Sequence, residues 1–269
     1  MKKSVSTLSP ARVWGGRAAA LIVFLLAWEL LPKIEWLRQV SPAFDPFFIS
    51  SPTRVLDRLI DLCFGLSGQP IVWPMFLQTA LGMFIGVGIS LIIGVLGGLV
   101  LSNNAMAQKI AAPFLALANA TPRVALIPLF VIIAGTTLTT TVLTVVVVVV
   151  FLVFYNAYSG GLSVPPEVVQ NARILGARPL EIMRRVRLPY VLVWTFSALP
   201  NAISFGLVVA VTAEILMGRI GMGRLLADSM AMVDSTLTFS VVVMLGAFGV
   251  TIVSLAQMVQ VRVLHWWQG

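Results

Sequence analysis

Six stretches of this chain, roughly 17–32, 76–102, 111–134, 139–158, 190–216 and 238–261, are apolar for far longer than a strand requires. A helix needs about 20 largely apolar residues to cross a hydrocarbon core about 30 Å thick. Hydrophobic residues make up 59% of the chain and charged residues only 10%, with a mean hydropathy of +0.99. A soluble domain carries about a quarter charged residues, so lipid is the solvent that this composition fits. The fourth stretch holds an unbroken row from Val145 to Val150. β-Branched residues favour strands in water, but a lone strand leaves its backbone unpaired in lipid, so a helix is expected there too. The expected fold class is an all-α membrane protein of about six transmembrane helices.

Charge placement orients such a bundle. With six spans, one set of connecting segments carries Lys2, Lys3, Arg12, Arg17, Lys109, Arg173, Arg178, Arg184, Arg185, Arg187 and Arg262. The alternate set carries Lys33, Arg38, Arg54, Arg58, Arg219 and Arg224. The positive-inside rule then expects both termini in the cytoplasm and makes 159–189 the main cytoplasmic loop. The net charge of +8 and pI near 10.6 are read the same way, since no basic stretch interleaved with aromatics points to nucleic acid. Lys2, Lys3, Arg12 and Arg17 precede the first apolar run as in a signal peptide, but Trp28-Glu29-Leu30-Leu31-Pro32 follows instead of a small-residue cleavage pattern. An uncleaved anchor helix is therefore expected. The single cysteine, Cys63, excludes an internal disulfide or a cysteine-cluster metal site. His265, Trp266 and Trp267 fall where an interfacial aromatic belt is expected. Gly82, Gly86, Gly88, Gly94, Gly97 and Gly98 in the second stretch allow close helix packing, within the subunit or across a dimer.

The loop reads PPEVVQNARILGARPLEIMRRVRLP over 165–189. Pro165 and Pro166 suit the first turn of a helix, and Glu167 suits its positive end. Val168, Ala172 and Leu175 fall on one face, and Gly176 is placed to stop the helix or be closely approached. Pro179 can open a second helix, with Leu180, Met183 and Val186 apolar and Arg184, Arg185 and Arg187 polar, and Pro189 is expected to close the unit. A compact helix-turn-helix against the membrane follows. Its arginines could meet anionic headgroups, and its glycine-centred break could serve a cytoplasmic partner.

This segment resembles the signature loop of binding-protein-dependent ABC importer permeases: EAA, three residues, Gly, nine residues, then Ile-x-Leu-Pro. Gln170-Asn171-Ala172 stands at the EAA triplet, Gly176 at the glycine, and Val186-Arg187-Leu188-Pro189 at the ending. Three further segments resemble the nitrate, sulfonate and taurine branch. They are Ile49-Ser50-Ser51-Pro52 with Val55 and Leu56, the run from Thr121 to Phe130, and Val211-Thr212-Ala213-Glu214-Ile215 with Gly221-Met222-Gly223. The resemblance covers roughly 47–262 and implies a type I ABC importer permease-like bundle in a bacterial inner membrane. It also implies a second permease copy, two ABC ATPase subunits and a periplasmic or lipid-anchored binding protein. The organisation expected is a cytoplasmic tail at 1–16, an anchor helix and periplasmic segment at 17–75, a permease core at 76–262 and a cytoplasmic tail at 263–269. ATPase coupling is implied for Gln170, Asn171, Ala172, Leu175, Gly176 and Ala177.

The chain has no G-x-x-x-x-G-K-[ST] phosphate loop, so ATP and magnesium are expected on a separate ATPase, with no cofactor in this chain. An ion-coupled secondary transporter, the alternative, commonly carries acidic residues deep in the membrane. The intramembrane ionisable residues here are Glu29, Arg123 and Glu214. Arg123 follows an expected helix interruption at Pro122 and either faces the path of an anionic solute or anchors the helix. Glu214 could pair with Arg123 or Arg219, and both Arg123 and Glu214 are candidates for the translocation path. A membrane enzyme would want clustered His, Asp or Glu, which this chain does not offer.

Overall fold

A computed structural model describes residues 10–41, 45–66 and 71–264. Lys2, Lys3, His265, Trp266 and Trp267 lie outside the described residues. The described part is helical: α1 (Pro10–Leu30), α2 (Glu35–Val40), α3 (Pro46–Ile49), α4 (Pro52–Phe64), α5 (Trp73–Ser102), α6 (Ala105–Ala120), α7 (Ile127–Ala134), α8 (Leu138–Leu162), α9 (Pro166–Ile174), α10 (Pro179–Ile182), α11 (Leu188–Met217), α12 (Met222–Ala231) and α13 (Ser235–Val263). Among the described residues, five stretches are long and apolar enough to cross a membrane, and six if the bent pair α6–α7 counts as one. The Cα positions divide into two units, residues 72–227 with 244–269, and residues 1–71 with 228–243.

The larger unit is built on α5, α8 and α11. Five glycines of α5 form a groove for α8: a Cβ at Gly82 would lie 2.7 Å from Thr141 Cγ2, at Gly86 2.6 Å from Val145 Cβ, at Gly94 2.7 Å from Val153 Cγ1, at Gly97 3.2 Å from Phe154 Cδ2 and at Gly98 2.6 Å from Ala157 Cβ. Small residues let two backbones approach closely, which is how helices gain packing energy where lipid removes the hydrophobic drive. The glycines therefore serve packing within this chain, the exception being Gly88, which faces open space. From α11, Gly206 meets Val87 in the same way, and Met83, Val145, Val149, Val153, Ala202 and Ala210 complete a core closed to solvent. Ser90 and Thr144 inside the bundle bond to their own helices, to the Gly86 carbonyl at 2.7 Å and the Thr140 carbonyl at 2.7 Å, whereas the buried Thr141 hydroxyl has no partner. Such bonds satisfy Ser90 and Thr144 without water.

The order of these contacts fixes direction. Position numbers rise together along α5 and α8, so the two helices run parallel, whereas Gly160 against Trp194 and Val145 near Gly206 make α11 antiparallel to α8. Two parallel spanning helices require the chain between them to recross the membrane, which only α6 and α7 can do. They form the span read over 111–134, with the interruption expected at Pro122. The pair bends by 81° between Ala120 and Arg123. Pro122 has no N–H and pushes the residue before it out of helical geometry, and Thr121 takes φ −75° and ψ 128° accordingly.

In the smaller unit, Glu29 is used at the end of α1. Its carboxylate pairs with Lys33 at 2.8 Å and accepts from the Thr53 N–H and hydroxyl at 3.3 and 3.1 Å, at the positive start of α4. Trp28 donates to the Ile49 carbonyl at 3.0 Å and packs on Phe239 at 5.2 Å, while Ser50 bonds Thr236 at 2.8 Å.

Gly94→Val is expected to lower the melting temperature of the purified protein in detergent by several degrees, in keeping with the about 1–3 kcal/mol of overpacking. Gly88→Ala, which meets nothing within 4 Å, should leave it unchanged. Equal melting of the two variants would refute the glycine groove.

Candidate functional site

Three places gather polar or exposed groups that a spanning bundle does not need for its own sake. The first is the elbow between α8 and α11. Pro165 and Pro166 open α9, and Gly176, at φ +83°, closes it. The Gly176 N–H bonds the Arg173 carbonyl at 2.9 Å and the Ala177 N–H bonds the Ala172 carbonyl at 3.0 Å, the paired closure of a Schellman turn. Only glycine adopts the left-handed conformation at that position without strain. Arg178 is then extended, its N–H is accepted by the Glu181 carboxylate at 2.9 Å, and Pro179 starts α10.

Two expectations for this loop are corrected. Pro189 does not close the unit, because α10 passes through a widened turn at Met183–Arg187 into α11 to give one apolar helix over Pro179–Met217. Pro189 cannot donate to the carbonyl of Arg185, and the wider i→i+5 turn carries the helix past that lost bond. The apolar face is also divided differently. Val169, not Val168, packs inward with Val164 and Ile182, joined by Ala172, Ala177, Val186 and Tyr190. Leu175, Ile174 and Leu180 instead stand 87%, 82% and 67% exposed at the tip. The Schellman turn reverses the chain at 175–177, which swings Leu175 off the inward face of α9. Of the residues singled out from sequence, Ala172 and Ala177 touch the elbow's small core, and Gln170, Asn171, Leu175 and Gly176 lie on its surface. Ile174 was missed, although its place beside Leu175 before a helix-ending glycine is a usable signal.

The second place is the bend of the third span. Arg123 donates to Asn119 Oδ1 at 3.0 Å and to the Ala118 carbonyl at 3.3 Å, and its guanidinium lies 4.2 Å from the centre of the Phe151 ring. It borders a cavity of about 250 Å³ shared with Asn119, Phe151, Tyr155, Asn156 and Phe205. The bend thus places a cation beside carboxamides and aromatic rings. Tyr155 and Asn156 were not legible, since only tertiary packing brings them to the cavity that Arg123 borders, whereas Asn119 lies four residues before Arg123.

The third is a buried clasp at the far end of α11. Glu214 is fully buried; it accepts from Thr79 Oγ1 at 2.7 Å and from the Gly223 N–H at 3.0 Å. Thr79 Oγ1 in turn accepts from the Met222 N–H at 2.9 Å, and Arg219 donates to Gln78 Oε1. Glu214 Oε1 and Arg219 Nη1 lie 3.9 Å apart, and neither has a hydrogen-bond partner. A Cβ at Gly221 would fall 2.3 Å from the Glu214 carboxyl carbon, so the Gly-Met-Gly turn folds directly over the carboxylate. Of the two partners expected for Glu214, the structure supplies Arg219 and not Arg123. Among the described residues, no group of three or more His, Cys, Asp or Glu could hold a metal ion.

Comparison with known proteins adds to this geometry. The family described as binding-protein-dependent transport system inner membrane component matches residues 86–265. The riboflavin transport system permease protein RibX of Chloroflexus aurantiacus is 26% identical over 159 residues, which are 59% of each chain. The formylaminopyrimidine transport permease protein ThiX of Halalkalibacterium halodurans is 21% identical over 250 residues, covering 93% of this chain and 92% of that one. The Bacillus subtilis protein SsuC, named for aliphatic sulfonates transport, is 24% identical over 70% of this chain and 67% of its own. In fold, a chain from the inward facing conformations of the MetNI methionine ABC transporter superposes with a TM-score of 0.59 at 21% identity, over 70% of this chain and 92% of that one.

Glu214→Gln should destabilise the detergent-purified protein, since breaking a buried pair costs about 3–5 kcal/mol. The double variant Glu214→Gln/Arg219→Gln should recover part of the loss. Strictly additive losses would show that the two charges do not interact.

Proposed function

The chain belongs to the binding-protein-dependent transport inner membrane family as a permease subunit of an ABC importer, and we propose that two copies line a path for a small anionic solute. Two ABC ATPase subunits, carrying ATP and magnesium, would sit on the cytoplasmic face, and a periplasmic or lipid-anchored binding protein would deliver the solute. Both termini would be cytoplasmic, as the arginine and lysine distribution favours.

The observation that carries this reading is the elbow. Its exposed apolar tip, Ile174, Leu175 and Leu180, has no partner in the smaller hydrophobic cluster beneath it and suits an apolar groove on another protein. Gln170, Asn171, Ala172, Leu175, Gly176 and Ala177 form or support that docking unit. The Schellman turn sets the angle of the tip, and the continuous 39-residue helix Pro179–Met217 leads from it across the membrane. At 1.5 Å per residue that helix is on the order of 60 Å long. Closure of the ATPases on ATP would move the two elbows, and a helix without a break passes such a displacement to the path. A hinge at Pro189 would have absorbed it.

For the solute, the relatives named for riboflavin, formylaminopyrimidine and sulfonates differ in chemistry and do not choose among substrates. The anion reading rests on Arg123 beside its cavity, the nitrate, sulfonate and taurine class being the one that the sequence resembles. An arginine fork suits an oxyanion, and Asn119 and Asn156 can add carboxamide contacts. Glu214 would act at the path indirectly, by holding the Gly221–Gly223 turn.

Gly176→Leu should leave membrane insertion intact while uncoupling ATP hydrolysis from uptake in reconstituted vesicles; normal coupled uptake would count against the docking assignment. Arg123→Ala should lower uptake at limiting solute by at least tenfold, an effect of about 1.4 kcal/mol at the transition state. Unchanged uptake would remove Arg123 from the path.

A further inference from the structure

Beneath the elbow lies a cavity of about 470 Å³ bordered by Asn103, Arg173, Arg178, Ile182 and Arg187. A neighbouring cavity of about 270 Å³ shares Arg173 and Arg187 and reaches Ser102. Three arginines therefore border one cavity, and among the described residues no carboxylate lines either space. The acidic residues of the elbow are engaged or elsewhere: Glu181 accepts from the Arg178 N–H, and Glu167 is exposed at the first turn of α9. Among the described residues, none of the three arginines forms an ion pair. Arg187 spends one nitrogen on the Ser102 carbonyl at 2.7 Å, while its Nε is buried without a partner. The exposed tip of Ile174, Leu175 and Leu180 shares no residue with these walls except through the chain itself.

Like charges gathered around one cavity repel, and an anion converts that repulsion into attraction. Guanidinium forks match the oxygens of phosphate in pairs, and 470 Å³ falls within the size range of small-molecule sites. We infer that this cavity binds a phosphate-type oxyanion, carried by an anionic lipid headgroup or by a soluble phosphate. An occupant joins Arg173 and Arg178 of the elbow to Arg187 and Asn103 at the end of α5, so it ties the docking unit to the helix core. This site is separate from Arg123 and its cavity, while Gly176 and Ala177 of the proposed docking unit also border it.

The test compares the full chain with its Arg173→Gln/Arg178→Gln variant, two exposed side chains whose replacement leaves the Arg187 bond to Ser102 in place. Melting temperature is measured in lipid-free detergent with inorganic phosphate against chloride at equal ionic strength. It is measured again in nanodiscs of phosphatidylglycerol against phosphatidylcholine. A rise of several degrees with phosphate, lost in the variant, establishes a soluble oxyanion as ligand. A rise with phosphatidylglycerol alone, again lost in the variant, establishes a lipid headgroup. No rise in either series, or an equal rise in the variant, overturns the proposal.

Discussion

The close approach of α5 to α8 is the contact on which the rest of the structure depends. In lipid two apolar helices gain little from leaving their solvent, so the energy must come from backbone proximity and dispersion contacts. Glycines at 82, 86, 94 and 98 bring the α8 side chains Thr141, Val145, Val153 and Ala157 against bare backbone. With that pair in place, α11 can close the core through Gly206 and Ala202. The parallel course of α5 and α8 then obliges the intervening chain to recross the membrane, and the bend at Pro122 sits within that return. Arg123 is stationed at the bend, so its position follows from the glycine groove.

One helix joins the two ends of the larger unit. The Pro179–Met217 helix carries the elbow at one end and the Glu214 clasp at the other. Its continuity through the widened turn at Met183–Arg187 makes the elbow an extension of a spanning helix, not a separate surface motif. The clasp anchors the opposite end by tying Glu214 to Thr79 of α5 and to the turn at Gly221–Gly223. A bundle held in this way can transmit a push at one end without loosening at the other, which is what the proposed transport cycle asks of it.

Much of this was legible in the residues. Apolar length located the spans, Pro166, Gly176 and Pro179 marked the elbow, and Pro122 marked an interruption. Each of these signals is local: a proline lacks a donor, and a glycine reaches the left-handed region, whatever surrounds it. The face that α9 turns inward was read incorrectly. The Schellman turn removes Leu175 from that face, and burial then falls on Val169. The partner of Glu214 stood open between Arg123 and Arg219 because the choice depends on which turn folds back over the carboxylate. The gathering of Arg173, Arg178 and Arg187 was invisible for the same reason: they are spread over 15 residues, and only the elbow's return brings them to one cavity.

By itself the sequence determined that this chain lives in a membrane as a helical bundle, because composition and run length report solvent preference without knowledge of neighbours. It also determined the glycine-centred elbow, because backbone stereochemistry is a property of single residues. The tertiary structure decided that the glycines of α5 pack within one chain, that the third span bends by 81°, and that Pro189 lies inside a helix. These depend on which surfaces meet and on whether a lost backbone hydrogen bond can be absorbed by its surroundings. No single residue carries that information.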